Sequence, residues 1–104
     1  MLRDRERECL LLDYYGELLT EHQYSVLDEY FNEDLSMNEI ADNYQISKSA
    51  VQDLIRRSMN QLNEYEEKLG MIEKDRKLGI ILDEMNSSDD ERIKKYAQKI
   101  AKIR

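Results

Sequence analysis

Five polar side chains between residues 48 and 57 have the chemistry that contact with a nucleic acid requires. Lysine and arginine neutralise phosphates, glutamine pairs with adenine, arginine pairs with guanine, and a serine hydroxyl can bond to either base or backbone. Their spacing puts them on the outer side of a helix. They are Lys48, Ser49, Gln52, Arg56 and Arg57. A solvated helix face with no ligand is an equally open interpretation of the same residues.

The residues on either side of this set predict two helices joined by a short turn. Ser36 can cap the first helix and Ser47 the second, because a serine hydroxyl accepts from the free N–H groups at a helix start. Ala41 is expected at the closest approach of the two helices, where a larger side chain would push them apart. Apolar residues recur only where the helices must touch: Ile40, Ala41, Tyr44, Ile46, Val51, Leu54 and Ile55. The pattern predicts a helix-turn-helix, whose second helix can enter the major groove of DNA.

The composition of the whole chain predicts an all-α protein. The 104 residues include no proline and only three glycines, and valine and threonine, which favour strands, are few. We therefore expect a helix-turn-helix without a β wing, followed by a long C-terminal helical extension. Residues 1–70 are predicted to hold the N-terminal helices and the motif. Residues 71–104 are predicted to form a helical hairpin that packs on them or on a partner subunit.

The N-terminal part is predicted to contain two helices before the motif. The first covers residues 3–18 and carries a wide apolar stripe. Thr20 caps the second, with Gln23 three residues later in the position of a capping box. The expected inner face of the second helix consists of Tyr24, Leu27, Tyr30 and Phe31.

The C-terminal part is predicted to contain three further helix segments. The second motif helix finds no stop signal between Ser47 and Gly70, and Gly70 is expected in the left-handed conformation that ends a helix. A helix then covers residues 71–85. Ser88 and Glu91 are predicted to form a capping box for the last helix. The apolar stripes of these last two helices need a partner surface, since short helices are marginal alone in water.

The charge distribution is unfavourable for nucleic-acid binding. The net charge of the chain is -7, whereas affinity for phosphates comes mostly from lysine and arginine. Residues 1–35 hold ten acids and three bases, residues 36–70 six acids and four bases, and residues 71–104 seven acids and nine bases. Only the last segment is positive. The acidity favours a protein partner, and the motif favours a nucleic acid.

Catalysis and membrane insertion have no support in the sequence. There is no glycine-rich phosphate loop, nucleophile elbow or set of metal-spaced ligands, so we expect no enzyme, cofactor or metal site. No apolar run approaches the roughly 20 residues that span a bilayer. Cys9 alone forms no disulfide framework, and a cytoplasmic location is expected. His22 is expected on the surface, and the seven tyrosines are expected in the core or an interface rather than in base stacking.

The sequence also resembles two related groups of bacterial helix-turn-helix proteins. Residues 19–62, from Leu-Thr-Glu-His-Gln through Leu-Ser-Met-Asn-Glu-Ile-Ala to Ile-Ser-Lys-Ser-Ala-Val, are similar to region 4 of sigma factors, which reads the promoter -35 element. A narrower resemblance is to the YlxM family of small helix-turn-helix proteins. It is carried by residues 13–21 (Asp-Tyr-Tyr-Gly-Glu-Leu-Leu-Thr-Glu), residues 34–36, residues 50–53 and residues 65–70 (Tyr-Glu-Glu-Lys-Leu-Gly). Sigma-like recognition helices usually carry Lys and Arg where this chain has Gln52 and Leu54, and Asp53 adds a negative charge.

The second resemblance implies a role in a particular pathway. The YlxM family is encoded beside the signal recognition particle GTPase and is assigned to the particle's pathway as a regulator. Two hypotheses stand. One is a regulator that binds duplex DNA or the particle's RNA, and the other is a protein-interaction module that binds the GTPase without contacting nucleic acid. A homodimer held through the long helix and the tail is expected in either case.

Overall fold

The computed structural model describes residues 4–104, which are helical with no β-strand among them. The prediction of an all-α protein is confirmed. The described residues form two compact units that divide between Leu69 and Gly70. None of the helices in this range combines the length and apolar content that crossing a membrane requires. The elements are α1 (Asp4–Tyr15), a short 3-10 helix (Gly16–Leu18), α2 (Glu21–Phe31), α3 (Met37–Tyr44), α4 (Lys48–Leu69), α5 (Met71–Asn86) and α6 (Glu91–Ile103).

The first helix ends earlier than its sequence predicts. Its predicted start at residue 3 lies outside the described residues, and the α-helix stops at Tyr15, where the chain tightens into the 3-10 helix. A Cβ atom on Gly16 would lie 2.8 Å from the Tyr24 ring. This corner therefore requires glycine, the residue that lets another group approach the backbone closely. The tighter turn also changes which side chains are covered. Leu18 and Leu19 both belong to the apolar stripe of the sequence, but only Leu19 is buried, and Leu18 is 53% exposed.

The capping box predicted for α2 is confirmed. Gln23 N donates to Thr20 Oγ1 at 3.2 Å, and Thr20 N donates to Gln23 Oε1 at 2.9 Å, which is the reciprocal pair that defines such a box. The predicted inner face is wrong for Tyr24, which is 40% exposed and whose ring lies against Gly16. Val26, which the sequence analysis did not single out, is fully buried beside Leu27.

Arg5 ties the beginning of α1 to the end of α2. Its guanidinium donates to the carbonyl oxygens of Tyr30 at 3.1 Å and Phe31 at 3.4 Å, and to the carboxylate of Asp34 at 3.1 Å. It also lies over the Tyr30 ring, 5.4 Å from the centroid, and over the Phe31 ring, 5.3 Å from the centroid. At these distances the ring faces attract the cation. The last carbonyls of a helix have no partner within it, so Arg5 supplies one for α2.

The core of the first unit forms where α1, α2 and α3 pack on α4. Ser58 also lies in this core, fully buried, and its hydroxyl has no hydrogen-bond partner among the described residues. The buried apolar side chains, which exclude water and hold the helices together, include Leu11, Leu12, Tyr15, Val26, Leu27, Ile40, Val51, Ile55, Met59 and Leu62.

The second unit is an antiparallel hairpin of α5 and α6. Gly70 has φ 61° and ψ 29°, which confirms the prediction of a left-handed glycine at this helix boundary. At the open end of the hairpin, where α5 begins and α6 ends, Arg104 forms an ion pair with the carboxylate of Asp75 and donates to its carbonyl oxygen at 2.8 Å. Leu82 of α5 and Ala97 of α6 are the buried apolar residues of this unit.

The capping box predicted for α6 is wrong. Asp90, rather than Ser88, immediately precedes the helix, and its carboxylate accepts from Arg92 N at 2.9 Å. Ser88 Oγ instead accepts from Asp90 N at 3.1 Å and shapes the turn before the helix. Two residues compatible with capping stood close together, and the one nearer to the first free N–H groups serves as the cap.

Candidate nucleic-acid interface

The start of α3 is fixed by a capping box. Glu39 N donates to Ser36 Oγ at 3.1 Å, and Ser36 N donates to Glu39 Oε1 at 3.0 Å, so two free N–H groups gain partners reciprocally. The serine cap was predicted from the sequence, whereas its partner Glu39 was not. Hydrogen bonds from the Ser36 backbone and hydroxyl lower the pKa of Glu39, because they favour its ionised form.

The turn between α3 and α4 places a residue other than glycine in the left-handed region. Gln45 has φ 55° and ψ 46°. Its backbone N–H donates to the carbonyl oxygens of Ala41 and Asp42, and α3 ends there. Ile46 N then donates to Ala41 O at 3.0 Å. Ser47 Oγ accepts from Ala50 N at 3.0 Å, which confirms the predicted cap of α4.

The crossing of α3 and α4 is tightly packed. Ile40 and Val51 are fully buried, while Ala41 and Ile55 are each 7% exposed. This arrangement agrees with the predicted position of Ala41 between the helices. The first turns of α4 are thus held rigidly against α3, as a group of residues that reads a ligand requires.

Tyr44 links the motif to α2 rather than filling the crossing. It is only half-buried, and its ring meets the His22 ring edge-on at a centroid distance of 5.2 Å. A hydrogen bond with Glu29 raises the pKa of the Tyr44 hydroxyl, since loss of its proton beside a carboxylate is unfavourable. Its role in the structure is therefore interhelical contact.

All five predicted contact residues are exposed on α4, but they do not share one face. At about 100° per residue, Lys48, Ser49, Gln52 and Arg56 fall within an arc of about 100°. Arg57 lies farther round the helix. It lines a separate groove of about 300 Å³ with Gln23, Leu54 and Gln61. Four of the five side chains are thus brought together.

A shallow groove of about 310 Å³ joins the start of α3 to the start of α4. Lys48 adds a formal positive charge to this groove, while the Glu39 carboxylate of the capping box already supplies negative charge at the beginning of α3. Sequence reasoning missed the contributions of α2 and α3, although the Ser36 cap marked where α3 begins. The groove is lined by Tyr30, Ser36, Met37, Asn38, Lys48 and Gln52.

Asp53 forms ion pairs with both arginines near the start of α4. Its carboxylate forms an ion pair with Arg56, three residues ahead, and another with Arg57 Nε at 2.9 Å, four residues ahead. These are the spacings at which side chains on one helix meet. Residues 36–57 contain three acids and three bases, so the motif as a whole is neutral. Both arginines are thereby partly neutralised within the protein itself.

The family comparison agrees with this geometry. A family model described as "Putative helix-turn-helix protein, YlxM / p13 like" (UPF0122) matches residues 2–103. A UPF0122 protein of Clostridium perfringens is 45% identical, with 91% of this chain and 90% of the relative aligned. One from Symbiobacterium thermophilum is 43% identical (86% and 83% aligned), and one from Acetivibrio thermocellus is 39% identical (91% and 92% aligned). The chain belongs to the UPF0122 family of YlxM / p13-like helix-turn-helix proteins.

Proposed function

We propose that this protein is a regulator that binds nucleic acid through the start of α3 and the first two turns of α4. The observation that supports it is the groove in which Lys48 and Gln52 lie beside the N-terminal end of α3. Lys48 suits a phosphate, and the amide of Gln52 suits an adenine edge. Ser49 and Arg56 extend the same face of α4. Arg57 would contact the sugar-phosphate backbone of the nucleic acid at the border of that face.

The ligand is duplex DNA or the RNA of the signal recognition particle, and the role is regulation of that particle's pathway. The motif favours duplex DNA, while the resemblance to the YlxM family favours the particle. A protein acting in this pathway would work in the cytoplasm. The proposed activity is binding, with no catalytic step, cofactor or metal.

A second candidate function is a protein-interaction module that binds the signal recognition particle GTPase. The Asp53 ion pairs favour it, because they partly neutralise Arg56 and Arg57, two of the three bases in residues 36–57. The net charge of -7 points the same way, since it weakens attraction to phosphates at long range.

A homodimer is part of the proposal. Two copies would present two α4 starts at a fixed separation, which paired half-sites require, or a doubled surface to a protein partner. Large apolar side chains that stay exposed on the hairpin, including Tyr96 and Ile103, support assembly.

The decisive experiment is fluorescence anisotropy with genomic DNA fragments and with the particle's RNA, at about 50 mM salt, where electrostatic binding is strong. The double variant Lys48→Glu/Arg56→Glu should abolish a salt-sensitive complex. A matched control, Lys68→Glu/Lys74→Glu, changes the net charge equally at exposed positions outside the motif and should retain most of the affinity. Absence of binding by the parent to both ligands would overturn the nucleic-acid proposal and favour the protein-interaction module.

A further inference from the structure

The α5–α6 hairpin carries large apolar side chains in contact with water. Ile81 is 53% exposed, Tyr96 is 60% exposed and Ile103 is 87% exposed. Tyr96 and Ile103 are two turns apart and therefore share one side of α6. Apolar side chains grouped in this way mark a surface that another surface covers.

The apolar side of α6 is accompanied by strong positive charge. Residues 91–104 contain six bases and one acid, a net charge of +5. Lys99 Nζ lies 5.3 Å from the centroid of the Tyr96 ring, so charge and apolar surface are directly adjacent. Two such faces placed against each other would repel. The surface that fits this one is apolar and acidic.

A groove with those properties lies at the corner between the 3-10 helix and α2. It has a volume of about 560 Å³ and is lined by Gly16, Glu17, Leu19, Glu21, Tyr24 and Ser25. Exposed apolar surface continues at Leu18 beside it. Residues 13–34, which include the whole groove, contain seven acids and neither lysine nor arginine.

We infer that α6 of one copy docks in the acidic groove of a second copy, and that the second copy returns the same contact. Tyr96 and Ile103 would cover the exposed apolar surface at Leu18 and Tyr24, and the lysines of α6 would meet Glu17 and Glu21. Two reciprocal contacts close at a dimer and leave no docking surface unfilled. The inference rests on the homodimer of the proposed function. It assigns the contact to α6 in the tail and to the groove at the 3-10 helix, and not to the long helix α4 that the sequence also suggested.

Charge exchange tests the docking contact. In the groove variant Glu17→Lys/Glu21→Lys, a basic groove would meet a basic α6. In the helix variant Lys95→Glu/Lys99→Glu, an acidic α6 would meet an acidic groove. Sedimentation equilibrium should show each variant as a monomer at a concentration where the parent is a dimer. An equimolar mixture of the two variants should be a dimer again, because both contacts then join opposite charges.

Controls separate this contact from other assemblies. The variant Glu64→Lys/Glu67→Lys changes the net charge as much as the groove variant does, at exposed positions on α4, and should remain a dimer. Circular dichroism checks that every variant is helical. Variants that stay dimeric would overturn the docking surfaces and leave the homodimer standing. A monomeric parent would overturn both. If the parent is a dimer, a mixture of the two variants that stays monomeric would overturn the docking surfaces alone. Nucleic-acid binding is measured independently of all these outcomes.

Discussion

Asp53 and Arg57 lie one helical turn apart on α4, and the Asp53 carboxylate is 2.9 Å from Arg57 Nε. Because Arg56 pairs with the same carboxylate, one acid occupies both arginines of the proposed interface. These ion pairs are exposed, and exposed pairs contribute at most about 1 kcal/mol. A phosphate can therefore displace Asp53, at a cost in affinity.

The substitution Asp53→Asn should strengthen nucleic-acid binding, because it frees both arginines for phosphates. Each added phosphate contact steepens the dependence of log affinity on log salt concentration by about 0.7–0.9. Anisotropy titrations at several salt concentrations measure the slope. Glu64→Gln removes one negative charge elsewhere on α4 and serves as the control. Equal slopes for the two variants would mean that Asp53 does not compete with the ligand.

Enlarging Ala41 should destabilise the motif. Ala41→Leu inserts a larger side chain at the crossing of α3 and α4, which we expect to cost about 1–3 kcal/mol in free energy of unfolding. Urea denaturation followed by circular dichroism gives the value. Asn43→Leu introduces the same side chain at an exposed position of α3. Because it meets no packed neighbour there, it should change stability by only about 0.5 kcal/mol or less. Similar effects of both substitutions would contradict the tight crossing.

Removing the hydroxyl of Ser58 should stabilise the protein. The hydroxyl is buried without a partner among the described residues, and an unsatisfied buried polar group costs about 1–3 kcal/mol. Part of that is regained in Ser58→Ala, and we expect a gain of about 1 kcal/mol in the same denaturation assay. Ser49→Ala, at an exposed position of the same helix, provides the comparison. A loss of stability in Ser58→Ala would show that the hydroxyl has a partner.

The capping box of α3 should make stability depend on pH at the acid end. The pKa of Glu39 is lowered from 4.5 by its bonds to Ser36, so its contribution is complete above about 4.5. It is lost as the pH falls through the lower folded-state pKa. Glu39→Gln retains the hydrogen bonds of the box but does not titrate.

Paired denaturation measurements on the parent and Glu39→Gln isolate this effect, because contributions from other groups cancel. The stability advantage of the parent should shrink as the pH falls from neutral into the range below about 4.5, because the folded-state pKa of Glu39 is lowered and the carboxylate takes up its proton there. Glu64→Gln reports the same difference for an exposed glutamate outside any cap. A difference between the parent and Glu39→Gln that stays constant over this range would contradict the proposed role of Glu39.

Features that depend on neighbouring residues in the chain were predictable. Thr20 with Gln23, Ser36, Ser47 and Gly70 all act at helix ends through contacts within four residues, and sequence spacing shows such contacts directly. Ser88 is an exception, because a competing cap at Asp90 stands only two residues away. A competition of this kind is decided by geometry rather than by residue type.

Features that depend on distant residues were not predictable. The Tyr24 ring lies against Gly16 of another element, and Arg5 reaches carbonyls that lie 25 and 26 residues away. The same limit applies to the candidate interface. Sequence spacing placed Lys48 and Gln52 on one face, but the groove that they share with Tyr30 and Asn38 arises only from the packing of three helices.

Two glycines in this chain should differ sharply in the sequence variation that they permit. At residue 16, an added Cβ would meet an aromatic ring, which cannot bend and whose displacement would open the corner between two elements. At residue 79, an added Cβ would meet the far end of the Arg104 side chain, which would have to shift from its contacts with Asp75. In a library of variants selected for folding, we therefore expect residue 16 to return as glycine, and residue 79 to accept alanine and serine in variants that loosen the contact of Arg104 with Asp75.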